Sequence, residues 1–428
     1  TAAWAGAYTL QSPGRNCSPW WTGHAWFRAG KVRKVLRLSG AVKDYAWGSP
    51  RAISDFTGID FGVQRVAELW FGAHNGARTL AGGRPLSEII SADPAGILGA
   101  DVAARFDGAL PFLLKVIAPD QPLSLQVHPG KELAEAGFQA EEEAGIPLDS
   151  PRRNYRDRNH KPEMIFALTP FEAFAGFRAP RRAIEVLDNL NAPLAREMLE
   201  ILRTHPGYRG LRAVARKLLA PLDEERRIQI EAVITACQDR LDRGTSPSLR
   251  VDRQAVALAR TYPSDPGAVL SLMLNPVTLR AGEALFIPTG AVHAYVSGLG
   301  IEVMSSSDNV LRAGLTPKHI DAGEALRCMD FHGAPPVRIA PEMNGRGTGI
   351  YYAPVDDFEL SVSEITGGEW IPIPGFGPRI LLGVSGDLEI GVGGEVETIS
   401  TGQAIFISAA EGTVRVRGNG KLVQAGVP

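Results

Sequence analysis

Residues 282–293 read Gly282-Glu-Ala-Leu-Phe-Ile-Pro288-Thr-Gly290-Ala-Val-His293: a glycine turn, four apolar residues, then proline and a second glycine before a single histidine. Four apolar residues between turn formers are too few for a helix and describe a buried strand. The text returns 120 residues later as Gly402-Gln-Ala-Ile-Phe-Ile-Ser408, with Thr413 where the first copy has His293. Two related β units are therefore expected, one without the histidine. Short apolar or alternating runs broken by Gly and Pro, such as 112–117, 123–127 and 164–168, predict strands from 35 to 178 and again from 263 to 428. Between them Asp223 stands as a cap before Glu224 and Glu225, and Ile230, Val233, Ile234, Cys237 and Leu241 recur at helical spacing. Similar patterns at 183–190, 195–202, 211–219 and 254–260 predict a helical segment over 181–262, with Cys237 facing its core.

The chain has 428 residues, 44% hydrophobic, which exceeds one ordinary domain. Lys+Arg 45 against Asp+Glu 47 leaves a net charge of −2, so no basic field exists to hold nucleic acid or an anionic membrane. Three widely spaced cysteines, Cys17, Cys237 and Cys328, form neither a disulfide framework nor a thiolate metal site, and a reducing, cytoplasmic compartment is expected. No run of about 18 apolar residues offers a membrane span. Residues 1–43 contain no Asp or Glu, yet hold four of the seven tryptophans and a basic cluster at Lys31, Arg33 and Lys34. Arg15, Asn16 and Pro19 interrupt any secretory apolar core there, and 1–33 is read as an extension outside the domains.

The Gly-x5-Pro-x-Gly-x2-His run resembles the second motif of the cupin superfamily, small antiparallel barrels that hold a divalent metal. Its partner strand should offer ligands at i and i+2, because alternate residues share a face. Gln126 and His128 have that spacing, and Glu163 in Asn159-His-Lys-Pro-Glu163 supplies a carboxylate. Any one of these alone is more often structural. Together Gln126, His128, Glu163 and His293 make a sulfur-free N/O set that suits Zn²⁺ with a position left open. His160 is read as supporting this set, while His24, His205, His319 and His332 have no companions. From His293 to Lys318, polar groups at Tyr295, Glu302, Asp308, Asn309, Arg312 and Lys318 interrupt apolar text. Arg312 between Leu311 and Ala313 reads as aimed, and Arg with Lys beside a metal points to an anionic substrate, most commonly a phosphate.

Tyr45-Ala-Trp-Gly-Ser49, Glu68-Leu-Trp-Phe-Gly-Ala-His74, Gln121 to Pro129, Tyr155 to Glu163 and His293 to Lys318 together resemble the type I mannose-6-phosphate isomerase family, in order, from about Val35 to the C-terminus. The resemblance implies an aldose-ketose isomerase of mannose metabolism and guanosine diphosphate mannose biosynthesis, interconverting mannose 6-phosphate and fructose 6-phosphate. It implies one Zn²⁺ per chain on Gln126, His128, Glu163 and His293, and Arg312 at the active site. Ser124, Lys161, Tyr295, Glu302 and Lys318 would lie in or beside the substrate pocket, with Ser124 and Lys318 on the phosphate. Glu302 or a metal-linked water would handle the carbon-bound proton, and Lys161 or Tyr295 the oxygen-bound ones. Glu68 and His74 fall in a family segment with no derived role, and Asn75 and Ser305 depart from the family text. The implied fold is mainly β, two cupin-type (jelly-roll-like) barrels plus an α-helical domain. The metal-bearing barrel would span 34–180 and 263–330, the helices 181–262, and a degenerate barrel 331–428. A cupin oxygenase using Fe²⁺ and a sugar-binding or storage cupin are the rival readings; Gln126 in place of a His argues against the first. Oligomeric state is open, a monomer being the simpler expectation.

Overall fold

The strand Phe112–Ile117 is buried along its whole length because its two faces meet different layers. Phe112, Leu114 and Val116 enter a core shared with the C-terminal sheet, whereas Ile117 turns to a second core on the other side. The computed structural model describes residues 35–428 apart from 75 and 77. The extension 1–33, Lys34, Cys17, His24 and Asn75 lie outside the described residues.

Among the described residues the strands form three sheets, all of antiparallel pairs. A seven-stranded sheet runs in the order 337–339, 284–287, 163–167, 300–305, 112–117, 68–72, 41–43. A five-stranded sheet runs 274–279, 171–177, 293–297, 125–127, 311–314. Ile165, Ala167, Leu285 and Ile287 of the first share a core with Phe171, Ala173, Val277 and Tyr295 of the second, so these two sheets lie face to face. The eleven-stranded sheet, drawn mostly from 342–426, covers the far side of the seven-stranded one.

Six helices from Pro180–Leu187 to Pro266–Leu270 cover the outer face of the five-stranded sheet, whose Leu125, Val127, Ala294 and Leu311 join their apolar sides. Asp223 caps the helix Glu224–Asp242 by accepting from Arg226 N at 2.8 Å, and Cys237 is fully buried inside it. The helices begin at Pro180 and continue past 262. The strand reading of 35–178 is also corrected, since five helices lie there, the longest being Lys131–Glu143. That helix fully buries only Ala134, Gly137 and Glu141, and its two large apolar residues, Leu133 and Phe138, pack only partly buried against the core, which leaves a weak stripe to mark it. The strand Val35–Ser39, assigned above to the first β unit, pairs instead with Ala404–Ile407 in the C-terminal sheet.

The two echoing segments fold alike. Ala284–Ile287 and Ala404–Ile407 are both buried throughout, and each follows a glycine at positive φ, Gly282 at 91° and Gly402 at 78°. Such a backbone is strained for any residue with a Cβ.

Candidate metal centre and substrate pocket

Gln126 pairs directly opposite His293 on one side and Arg312 on the other. Directly paired residues stand on the same face of a sheet, so His293, Gln126 and Arg312 form one row across three strands. Ser124 and His128, two residues either way from Gln126, share its face, while Leu125 and Val127 turn back to the helices. Glu163 starts its strand in the facing sheet, opposite Ile287 and Met304.

Two backbone carbonyls decide the protonation of this centre. His128 Nδ1 lies 2.8 Å from Asn309 O, and His293 Nδ1 lies 2.9 Å from Ala291 O. A carbonyl only accepts, so each Nδ1 carries the proton and each Nε2 presents a lone pair. Burial, and then Lys161, push the His128 imidazole down to about 4, which keeps it neutral. Both Nε2 atoms point at Glu163, 3.2 Å from Oε1 and Oε2 respectively. His128 Nε2, His293 Nε2 and Glu163 Oε2 are all buried and none receives a hydrogen bond. Donor atoms of the three side chains fall within 4.8 Å of one another. Lone pairs facing each other in a dry pocket are unfavourable unless a cation lies among them. Burial alone would raise the Glu163 carboxyl, but Lys161, 3.1 Å away, is the chief influence against it and the carboxyl is held well below the usual range. Two imidazoles with Nε2 turned inward, a carboxylate and the amide Gln126 in the same row fit a divalent metal of the zinc class.

Deeper between the sheets lies a buried charge cluster. Lys115 Nζ is 2.7 Å from Glu302 and 3.9 Å from Glu68, and stands 4.8 Å over the Trp70 ring, whose indole N–H donates to Glu68 at 2.8 Å. His74 meets Trp70 edge-on at 5.3 Å, so Glu68 and His74 build the wall of this cluster. Burial alone would lower the Lys115 ammonium, but Glu302 and Glu68 leave it above its ordinary value. Glu302 therefore sits in an ion pair with Lys115. Tyr295 is fully buried, and burial with Glu302 and Glu163 nearby pushes its phenol well above normal. Near neutrality its phenol is therefore a hydrogen-bond donor rather than a base.

Arg312 is half-buried, and burial followed by Arg156 lowers its guanidinium below the usual value. Burial, then Arg312 and Arg156, do the same to Lys318. These three cations form no ion pair among the described residues, and Lys318 reaches to 6.0 Å from the Tyr45 ring. Three neighbouring cations without ion-pair partners leave positive charge free to meet an anion. Lys115 and Arg156 were missed in the sequence. A single Lys inside Phe-Leu-Leu-Lys-Val-Ile was the signal for the first, whereas Arg156 has exposed-loop text on both sides. The rest of the pocket rim is held by Asn309, whose side chain accepts from Arg156 N at 2.7 Å and donates to Asp157 O and Asn159 O, both at 2.9 Å.

A protein of facing antiparallel sheets, with a buried two-histidine, one-carboxylate centre beside a cationic rim, belongs to the class of β-fold metalloproteins that act on anions. Residues 35–180 match the family model for the phosphomannose isomerase type I catalytic domain. Mannose-6-phosphate isomerase of Escherichia coli (strain K12) is 36% identical over 400 residues, covering 91% of this chain and 99% of its own. That of Rattus norvegicus is 31% identical, covering 88% and 94%. A crystal structure of mannose 6-phosphate isomerase bound with zinc and yttrium superposes with a TM-score of 0.84 at 35% identity, covering 92% and 99%. The chain belongs to the type I phosphomannose isomerase family.

Proposed function

We infer that this chain is a zinc-dependent aldose-ketose isomerase that interconverts mannose 6-phosphate and fructose 6-phosphate. The observation that carries the reading is the buried set of hydrogen-bond-free Nε2 and carboxylate atoms of His128, His293 and Glu163, with Arg312 in the same row as His293 and Gln126. Gln126, His128, Glu163 and His293 would hold the ion, one per chain. Zinc so held supplies a Lewis acid toward the carbonyl and hydroxyl oxygens of the sugar.

The chain's own residues do the rest. Lys318 and Arg156 hold the phosphate, with Ser124 on the same face as the ligands. Arg312, a permanent cation, steadies the negative charge of the enediolate through which hydrogen passes between C1 and C2. Lys161, buried and 3.1 Å from the carboxylate ligand, exchanges protons at the sugar oxygens. Tyr295, whose buried hydroxyl has no hydrogen-bond partner among the described residues, stays protonated and would donate to the sugar. Glu302 reaches a carbon-bound proton only from within its pair with Lys115.

The seven- and five-stranded sheets are read as one cupin-type barrel, supported by their shared core, and the C-terminal sheet as a second, supported by the repeated Gly-turn strand. Among the described residues no helix is long and apolar enough to cross a membrane. Burial pushes the free thiols of Cys237 and Cys328 up to about 12, which leaves them unreactive and suits a cytoplasmic setting. The test is a coupled assay on mannose 6-phosphate with metal analysis. Activity should vanish on chelation and return with Zn²⁺. Full activity in metal-free protein would sink the zinc reading, and oxygen uptake with bound iron, or sugar binding without turnover, would favour the rival cupins.

A further inference from the structure

His160 and Lys161 stand side by side in the loop that leads into Glu163, but they face different partners. Lys161 turns to the carboxylate ligand. His160 Nε2 lies 3.0 and 2.9 Å from the two oxygens of Asp357, a residue of the C-terminal part of the chain, 197 positions away. Asp357 is 4% exposed and has no other polar partner among the described residues. Its chain neighbour Phe358 is fully buried in the core between the C-terminal and seven-stranded sheets, so the carboxylate is fixed from below.

A buried carboxylate needs a donor, and the only one it has is His160 Nε2. The proton must therefore sit on Nε2, and Nδ1 is the ring nitrogen left without a partner among the described residues. The rest of the loop is tied elsewhere: Tyr155 N donates to Glu141 Oε2 at 2.8 Å, Arg156 N to Asn309 Oδ1, and Asn159 N to Asp157 Oδ1 at 2.9 Å. Among the ring and side-chain positions of 155–161, only His160 takes its orientation from the C-terminal sheet.

We propose that Asp357, in the loop between two strands of the C-terminal sheet, is a positioning residue: it sets the tautomer and orientation of His160 and so steadies the loop that carries Lys161 and Glu163. The link to turnover rests on the isomerase reading; the tautomer does not. A carboxylate oriented behind an imidazole is a known way to fix which ring nitrogen faces the reaction, and loss of such partners commonly lowers activity about 10–100-fold.

The test uses full-length, zinc-loaded protein with ¹⁵N-labelled histidine, the His160 signals being assigned by their loss in His160→Gln. In the unaltered chain His160 should appear as the Nε2–H tautomer with an unprotonated Nδ1. Asp357→Asn, equal in shape, should remove that preference, because an amide can donate to Nε2 as well as accept from it; Asp357→Glu should retain it. Asp357→Asn should also lower kcat about 10-fold or more with zinc content unchanged and KM within about 3-fold. In the His160→Gln background the same change should have no further effect. An unchanged His160 tautomer in Asp357→Asn would overturn the proposal whatever reaction the protein catalyses. An altered tautomer with undiminished kcat, or an equal loss in both backgrounds, would overturn its role in turnover. Should the unaltered zinc protein not turn over mannose 6-phosphate at all, the isomerase reading falls and the NMR result still decides this one.

Discussion

Replacing Lys115 by Met removes the one ammonium between two buried carboxylates. Lys115 Nζ is 2.7 Å from Glu302 and 3.9 Å from Glu68, and the three side chains are exposed by only 6%, 3% and 8%. Breaking a buried pair from one side leaves an uncompensated charge and costs about 3–5 kcal/mol. The variant can escape part of this by protonating Glu302. Burial already raises that carboxyl in the unaltered protein, with Lys115 only partly offsetting it, and removing Lys115 drives it further up. A carboxyl raised in the folded state stabilises the protein below its unfolded pKa and loses that contribution as pH rises through the folded value. The deficit of Lys115→Met should accordingly be largest at alkaline pH and shrink as pH falls, by at most about 1.4 kcal/mol per pH unit for each carboxyl. Urea unfolding of the zinc-loaded protein, followed at pH 7.5 and pH 5.5, reads this directly. The double variant Lys115→Met/Glu302→Gln should be more stable than Lys115→Met alone, because one stranded charge is gone. A deficit under about 1 kcal/mol at pH 7.5, or one that does not change with pH, would refute the view that these charges depend on one another.

Arg312→Ala should lower kcat about 100-fold or more while KM moves little, as expected of a cation acting mainly on developing charge; steady-state kinetics with an unchanged kcat would return Arg312 to binding alone. Lys318→Ala should raise KM for mannose 6-phosphate about 10-fold with kcat nearly intact, and the effect should weaken as salt increases. Glu163→Gln should abolish tight zinc binding by metal analysis, and the zinc-free variant should melt below the zinc-free parent, since the buried Lys161 ammonium loses its counter-ion. In the helical segment, Arg240 makes a two-point contact with fully buried Asp252, so Arg240→Met should cost about 3–5 kcal/mol and expose 181–262 to limited proteolysis.

The cluster of His128, Glu163 and His293 was legible because each sits beside a local rule: an i, i+2 spacing with Gln126, a carboxylate after Lys-Pro, a histidine after a glycine turn. Arg312 was legible for a similar reason, a charge between buried neighbours. What was not legible depends on which strands become neighbours. Lys115 stands out in its own strand only as a lone charge and acquires its meaning when Glu302 arrives on the adjacent one. His160 was assigned a supporting place, but its partner lies in the C-terminal part, and no spacing rule connects residues so far apart. The helix Lys131–Glu143 was hidden because its fully buried positions are Ala, Gly and Glu, and Val35–Ser39 was misplaced because an apolar strand carries no label for the sheet that will accept it.

Register also explains why one copy of the echo binds metal and the other does not. In the first, Ile287 pairs with Glu163, which aims a carboxylate at the two imidazoles. In the second, the corresponding Ile407 pairs with Arg379. Arg379 is fully buried, and its guanidinium donates to Glu411 O at 3.0 Å and Gly412 O at 2.9 Å, the stretch that matches Ala291 and Val292 of the first copy. In the first copy a ring nitrogen, His293 Nδ1, satisfies the carbonyl of Ala291, and its other nitrogen is left for the ion. In the second the same turn is satisfied by a cation belonging to the chain itself, and Thr413 has no ring to offer. The substitution of Arg for Glu at the paired position thus replaces a site that needs an external cation with one that carries its own. Restoring a carboxylate at 379 would not recreate a metal site, because it would leave those carbonyls without donors and bring no imidazole opposite.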